Sequence, residues 1–350
     1  MHYPSKLARI NIGNTSFSQL GARLTIRYTS VRPLSRSMSV QSKQIAIPRP
    51  SASLVIVNSS NEILLVERNP KAGSFAGASV FPGGNFDPKQ DSSLGITAIR
   101  ETFEETGLLF TFESGDSGSS LWPTNSELDT ARAEVHSQKL TFNDFLSKHK
   151  LRPDTSSLLP FTQWVTPANQ PRRFRTQFYL TFFRDSPSHN SSDGVGERRL
   201  PTPDGGQEVI RTRWVSPSSV LNEVRDRKIS LFPPQFYILT TLAGILNSNT
   251  RTLDQENTVK TLSKTAFGRM VINPIPLKQK DEKGRLVLTY EGDETRGGPQ
   301  GQLHRMLVNF EKGGYSFPEE LQRNFDIFND VGKFEHLFEP IDDPLFNAKL

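Results

Sequence analysis

The feature that most constrains this chain is a pair of glycines followed by a short acidic segment. Phe81-Pro-Gly-Gly-Asn-Phe-Asp87 precedes the stretch from Ser93 to Thr106, which contains no proline and is followed by Gly107. Polar residues at the start and a glycine at the end are helix boundary signals, so the sequence predicts one helix there. Because glycine lacks Cβ, the backbone before this helix can approach another group closely.

One face of the predicted helix is acidic. At about 100° per residue, Glu101, Glu104 and Glu105 fall together, and the apolar side chains lie roughly opposite. Like charges at these spacings repel each other, so the cluster costs stability unless cations neutralise it. Carboxylate oxygens bind hard divalent cations such as Mg²⁺ and Mn²⁺, which keep positions open for water and phosphate. The pattern therefore predicts a metal site, and an ordinary solvated helix face is the alternative.

The residues around the acidic face resemble a known signature. Arg100-Glu101-x-x-Glu104-Glu105-x-Gly107-Leu108, placed after Gly83-Gly84, resembles the signature of Nudix hydrolases. The resemblance implies an α/β fold, namely an α/β/α sandwich with a mixed sheet. It also implies hydrolysis of a nucleoside diphosphate derivative, with Mg²⁺ or Mn²⁺ bound by Glu101, Glu104, Glu105 and the carbonyl of Gly84.

The sequence departs from that signature at two places. Gln90 stands where the family has a glutamate, which leaves Asp87 or Asp91 as substitute ligands. Thr102 stands where a large aliphatic residue is usual. The three glutamates of the helix are present, so activity is still expected.

Catalytic roles are also implied by the resemblance. Arg100 precedes Glu104 by four residues and is expected to hold its carboxylate in orientation. Glu208 opens a predicted strand, 209–215, at a position from which a distal glutamate reaches the metals in the family; an ordinary surface glutamate is the alternative. Glu101, Glu104 and Glu208 are the further catalytic candidates. The general base could be Glu104 or Glu208, and the sequence does not decide between them.

Arginines are the candidates for substrate binding. Arg68 ends a segment that partly resembles the extra motif of coenzyme A diphosphatases, although Gly73 stands where that motif has an arginine. Arg172, Arg173 and Arg175 lie at the start of a predicted strand and could bind phosphate, because a guanidinium binds phosphate as a bidentate fork. A solvated strand end explains these three arginines equally well.

The domain organisation is predicted as a leader (1–46), a Nudix domain (47–330) and a tail (331–350). Two strands, 51–57 and 62–67, form a hairpin before the glycine pair, and a further strand covers 174–183. A helical insertion at 124–151 is expected to flank the substrate cleft, and 185–207 is a flexible loop. A helix starts at Phe232, a hairpin joins 285–290 to 306–310, and the chain beyond Ile327 is expected to be irregular.

Both termini carry predicted targeting signals. Residues 1–61 contain eight basic and no acidic residues, which resembles a mitochondrial transit peptide, with a disordered basic tail as the alternative. Ala348-Lys349-Leu350 matches the class of peroxisomal signals that an import receptor binds. Together they predict a peroxisomal or mitochondrial location, or both, with Met38 as an alternative start.

Charge and composition narrow the possible partners. Beyond residue 61 the 34 basic and 37 acidic residues give −3, against +5 for the whole chain, so no nucleic-acid partner is expected. No apolar run reaches the roughly 18 residues of a membrane span, so none is expected. The absence of cysteine excludes disulfides, cysteine zinc sites and a thiol nucleophile.

The layout resembles the peroxisomal acyl-coenzyme A diphosphatase branch of the Nudix family. It implies cleavage of coenzyme A or its esters into 3′,5′-ADP and 4′-phosphopantetheine or its acyl form. An NADH or ADP-ribose diphosphatase is one alternative, and a catalytically silent Nudix binding module is another. The sequence does not indicate the oligomeric state.

Overall fold

The computed structural model describes residues 45–71, 76–113, 122–183, 199–311, 314–340 and 344–347. Most of the predicted leader, most of the loop 185–207 and the tripeptide Ala348-Lys349-Leu350 lie outside these residues. None of the helices in the described part has the length and apolar character that crossing a bilayer requires.

The described chain contains fourteen strands and seven α-helices. The strands are β1 (Arg49–Val57), β2 (Ile63–Arg68), β3 (Ser79–Val80), β4 (Gly83–Asn85), β5 (Thr111–Glu113), β6 (Leu151–Pro153), β7 (Leu159–Val165), β8 (Phe174–Phe182), β9 (Val209–Val215), β10 (Val271–Ile272), β11 (Ile275–Pro276), β12 (Leu286–Thr289), β13 (His304–Phe310) and β14 (Ser316–Arg323). The α-helices are α1 (Leu94–Thr106), α2 (Asn125–His136), α3 (Phe142–Lys148), α4 (Pro217–Arg225), α5 (Pro233–Ile245), α6 (Leu253–Lys264) and α7 (Pro344–Asn347).

The main sheet is mixed, as predicted. Its strand order is β10-β7-β8-β1-β2-β3, with β4 paired to β1 and β9 paired to β2. β1 runs parallel to β8, and β10 runs parallel to β7, whereas the other pairs in this sheet are antiparallel. β1 therefore joins the strand that carries the glycine pair to the rest of the sheet.

Helices cover both faces of this sheet because its central strands are apolar on both sides. Alternate residues of β1 show the division: Leu54 and Ile56 pack with α1, α2 and α3, whereas Val55 and Val57 pack with α4, α5 and α6. The predicted α/β/α sandwich is confirmed, and α1 lies directly against β1.

The helical insertion consists of α2 and α3. Thr124 and Thr141 cap the two helices by accepting hydrogen bonds from the backbone N–H groups of Glu127 and Asp144. Phe142 and Phe145 of α3 pack against Phe103 of α1, with ring centroids 5.9 and 5.5 Å away. The insertion is thus anchored to the acidic helix through an aromatic contact.

A second sheet follows, with the order β11-β12-β13-β14. Its β12–β13 pair is the late hairpin that the sequence predicts. The expectation of irregular chain beyond Ile327 is wrong in part, because Val331–Leu337 forms a 3₁₀ helix. Val331 and Phe334 of that helix are buried in the core, which gives the segment a reason to be ordered.

Candidate active site

The acidic helix forms where the sequence predicts it. Ser93 accepts a hydrogen bond from the N–H of Ile96, and Gly107, with φ of 74°, ends the helix by donating to the carbonyl of Phe103. Leu94, Ala98, Ile99 and Phe103 are buried against the sheet. Local capping signals and one apolar stripe therefore fix the orientation of the three glutamates.

The glycine pair lies under the glutamates because β4 is hydrogen-bonded to β1. Gly84 pairs with Ala52, and a Cβ placed on Gly84 would lie 2.4 Å from Cδ of Glu101. The N–H of Gly83 donates to Oε2 of Glu105 at 3.0 Å. The absence of a side chain at Gly84 is thus what leaves room for the carboxylate of Glu101.

Arg100 is the hub of one half of the cluster. Its Nε and Nη2 donate to the two oxygens of Asp91 at 2.8 Å, and Nη1 lies 2.7 Å from Glu104 and 3.0 Å from Glu101. Burial lowers the pKa of Arg100, but its hydrogen bond to Asp91 and the negative charges of Glu101, Asp91 and Glu104 together outweigh that effect, so the pKa is raised. Asp91 is fully occupied by this fork and by Thr97, so it is not placed as a substitute metal ligand.

Arg68 is the hub of the other half. Its Nη1 lies 3.0 Å from Glu105 and its Nη2 lies 2.8 Å from Glu208, so it joins the helix to the start of β9. The sequence suggests Arg68 as a substrate ligand, and the structure brings it into the carboxylate cluster itself. Glu208 has the most exposed carboxylate of this group, with 47% of its side chain accessible, against 3% for Glu105.

The cluster holds more negative than positive charge. In the part of the chain that the structure describes, the ion pairs of Asp91, Glu101, Glu104, Glu105 and Glu208 with arginine are those with the two hub arginines. Burial raises the pKa of Glu101 to about 7; Arg100 opposes this shift, and the neighbouring charges of Glu104 and Glu208 add to it. Burial likewise raises the pKa of Glu105 well above its usual range, even though Arg68 opposes the shift. A cation would relieve this imbalance.

The carboxylates are not gathered around a single point. Among the residues that the structure describes, no group of three or more His, Cys, Asp or Glu side chains is arranged so that it could hold a metal ion. Instead, each glutamate has one carboxylate oxygen in an ion pair with Arg68 or Arg100. The chemistry of the donors still fits a divalent cation, since Glu101, Glu104 and Glu105 supply carboxylate oxygens and 17% of the Glu101 side chain is exposed. Binding of a metal by Glu101, Glu104, Glu105 and Gly84 stays a prediction.

The other candidate arginines lie at the start of β8. Arg173 donates to the backbone carbonyls of Thr166 and Ala46 at 2.9 and 2.8 Å, so its guanidinium is used to hold the chain there. Arg172 is exposed and also has a partner of its own. The guanidinium of Arg175 stacks over the ring of Phe346. A role for Arg172 and Arg173 in binding substrate stays a prediction.

The sequence analysis missed the contribution of the insertion. His136 of α2 has its Nδ1 3.5 Å from Oε2 of Glu104, and Arg132 donates through Nε to the backbone carbonyl of Glu104 at 2.7 Å. Gln90 faces the insertion instead of the glutamates, because its side chain accepts from the N–H of Phe142. No periodicity or motif connects residues about thirty positions apart, so only the fold reveals these contacts.

Comparisons with known proteins find similarity to Nudix sequences. Residues 89–242 match the family model described as the NUDT19 Nudix domain. The putative nudix hydrolase 7 of Caenorhabditis elegans is 30% identical over 205 residues, which cover 56% of this chain and 61% of that protein. The acyl-coenzyme A diphosphatase NUDT19 of Xenopus laevis is 26% identical over 241 residues, which cover 53% of this chain and 60% of that protein.

The crystal structure of a NUDIX hydrolase from Alicyclobacillus acidocaldarius aligns with a TM-score of 0.48 and 22% identity, covering 61% of this chain and 97% of the other. The alignments with the two curated relatives span about three fifths of the length of each relative.

The signature on α1 and the sequence matches together show that this chain resembles Nudix-family proteins. Within that family, its matched segment resembles the Nudix domain of NUDT19. The resemblance predicted from the glutamate signature is thereby confirmed.

Proposed function

We propose that this protein is a metal-dependent diphosphatase that hydrolyses coenzyme A or acyl-coenzyme A. The products would be 3′,5′-ADP and 4′-phosphopantetheine or its acyl form. The observation that carries the proposal is the carboxylate cluster, in which five acidic groups face two arginines beside Gly83 and Gly84. Such an excess of negative charge destabilises the protein unless a cation is bound there.

The proposed cation is Mg²⁺ or Mn²⁺, which Nudix hydrolases generally use. Glu101, Glu104 and Glu105 would hold it, with the carbonyl of Gly84 as a further oxygen ligand. When bound, it would offset the charge of the diphosphate and lower the pKa of a water molecule. Because Arg68 and Arg100 now contact these carboxylates, their contacts would have to loosen as the ion binds.

Glu208 is the proposed general base. Its side chain is the most exposed of the cluster, with 47% accessible, so a water molecule could approach its carboxylate. Oxygen of that water would form a bond to one phosphorus, and Glu208 would accept the proton. The bond from this phosphorus to the bridging oxygen would break, and the bridging oxygen would leave on the other phosphate with the electron pair. Glu104 is the alternative base, but Arg100 and His136 already contact its two oxygens.

The choice of coenzyme A rests on the relatives. The proteins from Xenopus laevis, Gallus gallus and Homo sapiens are named as acyl-coenzyme A diphosphatases, with 26–30% identity to this chain. An NADH or ADP-ribose diphosphatase is the nearer alternative, and a catalytically silent binding module is the more distant one. Retention of all three helix glutamates favours an enzyme over a silent module.

A peroxisomal or mitochondrial location is part of the same proposal. Ala348-Lys349-Leu350 would bind a peroxisomal import receptor, and the basic leader would direct the chain to mitochondria. Both compartments hold acyl-coenzyme A, the proposed substrate. A fluorescent fusion that keeps the C-terminus free, compared with one lacking the tripeptide, tests the first signal.

A product assay tests the function. The purified chain is incubated with Mg²⁺ and, in separate reactions, coenzyme A, acetyl-coenzyme A, NADH and ADP-ribose. Release of 3′,5′-ADP from the coenzyme A substrates, lost on addition of a chelator, is the expected result. Faster release of AMP from NADH or ADP-ribose would replace the coenzyme A assignment, and no turnover of any substrate would favour the silent module.

A further inference from the structure

The structure points to a role for the helical insertion that differs from lining a cleft. The segment 199–208 ends in Glu208, and it crosses the C-terminal end of α1 before entering β9. Arg132, on the buried side of α2, contacts both this segment and α1. We propose that Arg132 is a positioning residue, which fixes the segment 199–208 against α1 and thereby sets the place of the Glu208 carboxylate. This inference rests on the proposed function, because it assigns a task to Glu208.

All three nitrogens of the Arg132 guanidinium are used in this contact. Nε donates to the carbonyl of Glu104 at 2.7 Å, Nη1 donates to the hydroxyl of Thr202 at 3.0 Å, and Nη2 donates to the carbonyl of Thr202 at 2.9 Å. Arg132 is only 7% exposed, so these hydrogen bonds lie in a buried environment. Leaving a buried guanidinium without acceptors would lower the stability of the folded protein, so the fold favours keeping all three hydrogen bonds.

The contact uses groups that the end of a helix leaves free. The last carbonyls of an α-helix have no partner within the helix. In α1 the carbonyl of Glu104 accepts from Arg132, and the carbonyl of Thr106 accepts from the N–H of Thr202 at 2.9 Å. A cation at this end also interacts favourably with the helix dipole. The segment 199–208 is thus attached to the same turn that carries Glu104 and Glu105.

A second set of hydrogen bonds, centred on the Asp204 carboxylate, holds the backbone around Glu208. The carboxylate of Asp204 accepts from the N–H of Gly206 at 3.0 Å, Glu208 at 2.8 Å and Val209 at 3.2 Å. The carbonyl of Glu208 accepts from the N–H of Asn69 at 2.7 Å. Hydrogen bonds from side chains and from the backbone therefore hold the segment from Thr202 to Glu208 in place. A shift at Thr202 would move the carboxylate of Glu208 relative to Glu105.

A double-mutant cycle between Arg132 and Glu208 tests the inference. Wild type, Arg132→Met, Glu208→Gln and the double variant are compared by kcat and KM on the substrate that the wild type turns over. Loss of a residue that orients a catalytic group typically costs about 10- to 100-fold. We expect that loss in kcat for Arg132→Met, with little change in KM. In the Glu208→Gln background the same substitution should cost less than about threefold, because the group that it positions is already disabled.

A readout other than activity accompanies the cycle. Hydrogen exchange of the amides of Glu208 and Val209, which donate to Asp204, should become faster in Arg132→Met, while amides of α5 remain unchanged. Thr202→Val removes only the hydroxyl acceptor, so it should give a smaller effect in the same direction even if Arg132→Met unfolds. Arg225→Met is the control, since Arg225 is exposed on α4 and its hydrogen bond to Asn222 lies within that helix.

An equal loss of kcat in both backgrounds would overturn the inference, because it would show that Arg132 acts independently of Glu208. Unchanged exchange at Glu208 and Val209 would overturn it as well. These results differ from failure of the proposed function, in which the wild type itself would turn over none of the substrates.

Discussion

Substitution of Gly84 by alanine is expected to lower activity while leaving the stability of the fold nearly unchanged. An alanine Cβ at this position would lie 2.4 Å from Cδ and Oε2 of Glu101 and 2.6 Å from Oε1. Ordinary contacts between such atoms are about 3.5 Å, so the carboxylate must move by about 1 Å. A displacement of that size at a reacting centre costs about 100-fold in rate, or about 2.7 kcal/mol of transition-state stabilisation.

Stability should survive this substitution. The clashing atoms belong to the end of a flexible side chain, and Gly84 does not have a positive φ, so alanine fits the backbone. The free energy of unfolding of Gly84→Ala should therefore stay within about 1 kcal/mol of wild type, as measured by urea denaturation.

Gly83→Ala is the matched control. Its Cβ would lie 2.4 Å from the backbone oxygen of Ala52 and 2.6 Å from Cα of Ser53, and neither atom can move without shifting β1. Forcing such an overlap costs about 1–3 kcal/mol of stability. The reasoning is refuted if Gly84→Ala keeps full activity, or if the two variants lose the same amount of stability.

The remaining predictions concern charge. Glu105→Gln should abolish turnover and leave the melting temperature unchanged or higher, because it removes a buried carboxylate from a repulsive cluster; a collapsed fold would show that this side chain is structural. Arg100→Met should lower the free energy of unfolding by about 3–5 kcal/mol, because it leaves Asp91 buried without its partner, and Arg225→Met is its control in the same urea titration. The raised pKa of Glu101, about 7, means that the folded protein binds its proton more tightly than the unfolded chain. The chelator-treated protein should therefore lose stability as the pH rises from about 5 to about 8, where carboxyl groups with ordinary pKa values near 4.3 contribute nothing further. A melting temperature that does not change between about pH 5 and about pH 8 would contradict the raised pKa of Glu101.

Local signals made the acidic helix predictable almost to the residue. Ser93 and Gly107 are cap residues whose preferences act within one turn, and the spacing of Glu101, Glu104 and Glu105 fixes their common face. Most of the main strands were also predictable, because alternation within a strand reports which faces are buried.

Long-range pairing was the part that the sequence could not supply. Arg68 stood out only as part of a partial motif, and its contacts with Glu105 and Glu208 arise because β2 pairs with β9 beside α1. Asp91 looked like a spare ligand until the fold placed it in the fork of Arg100. In the same way, Arg132 lies on a helix whose sequence shows only an amphipathic pattern. Its three acceptors come from segments that are distant along the chain.

We propose that the acidic face of α1 is a divalent cation site. Binding of Mn²⁺ to the chelator-treated chain, followed by electron paramagnetic resonance of the free ion, tests it without any assumption about substrate. We expect that wild type removes Mn²⁺ from solution, that Glu101→Gln and Glu105→Gln bind it far more weakly, and that Arg225→Met binds like wild type. Equal binding by all four proteins, or no binding by wild type while Arg68 and Arg100 keep the carboxylates paired, would contradict it.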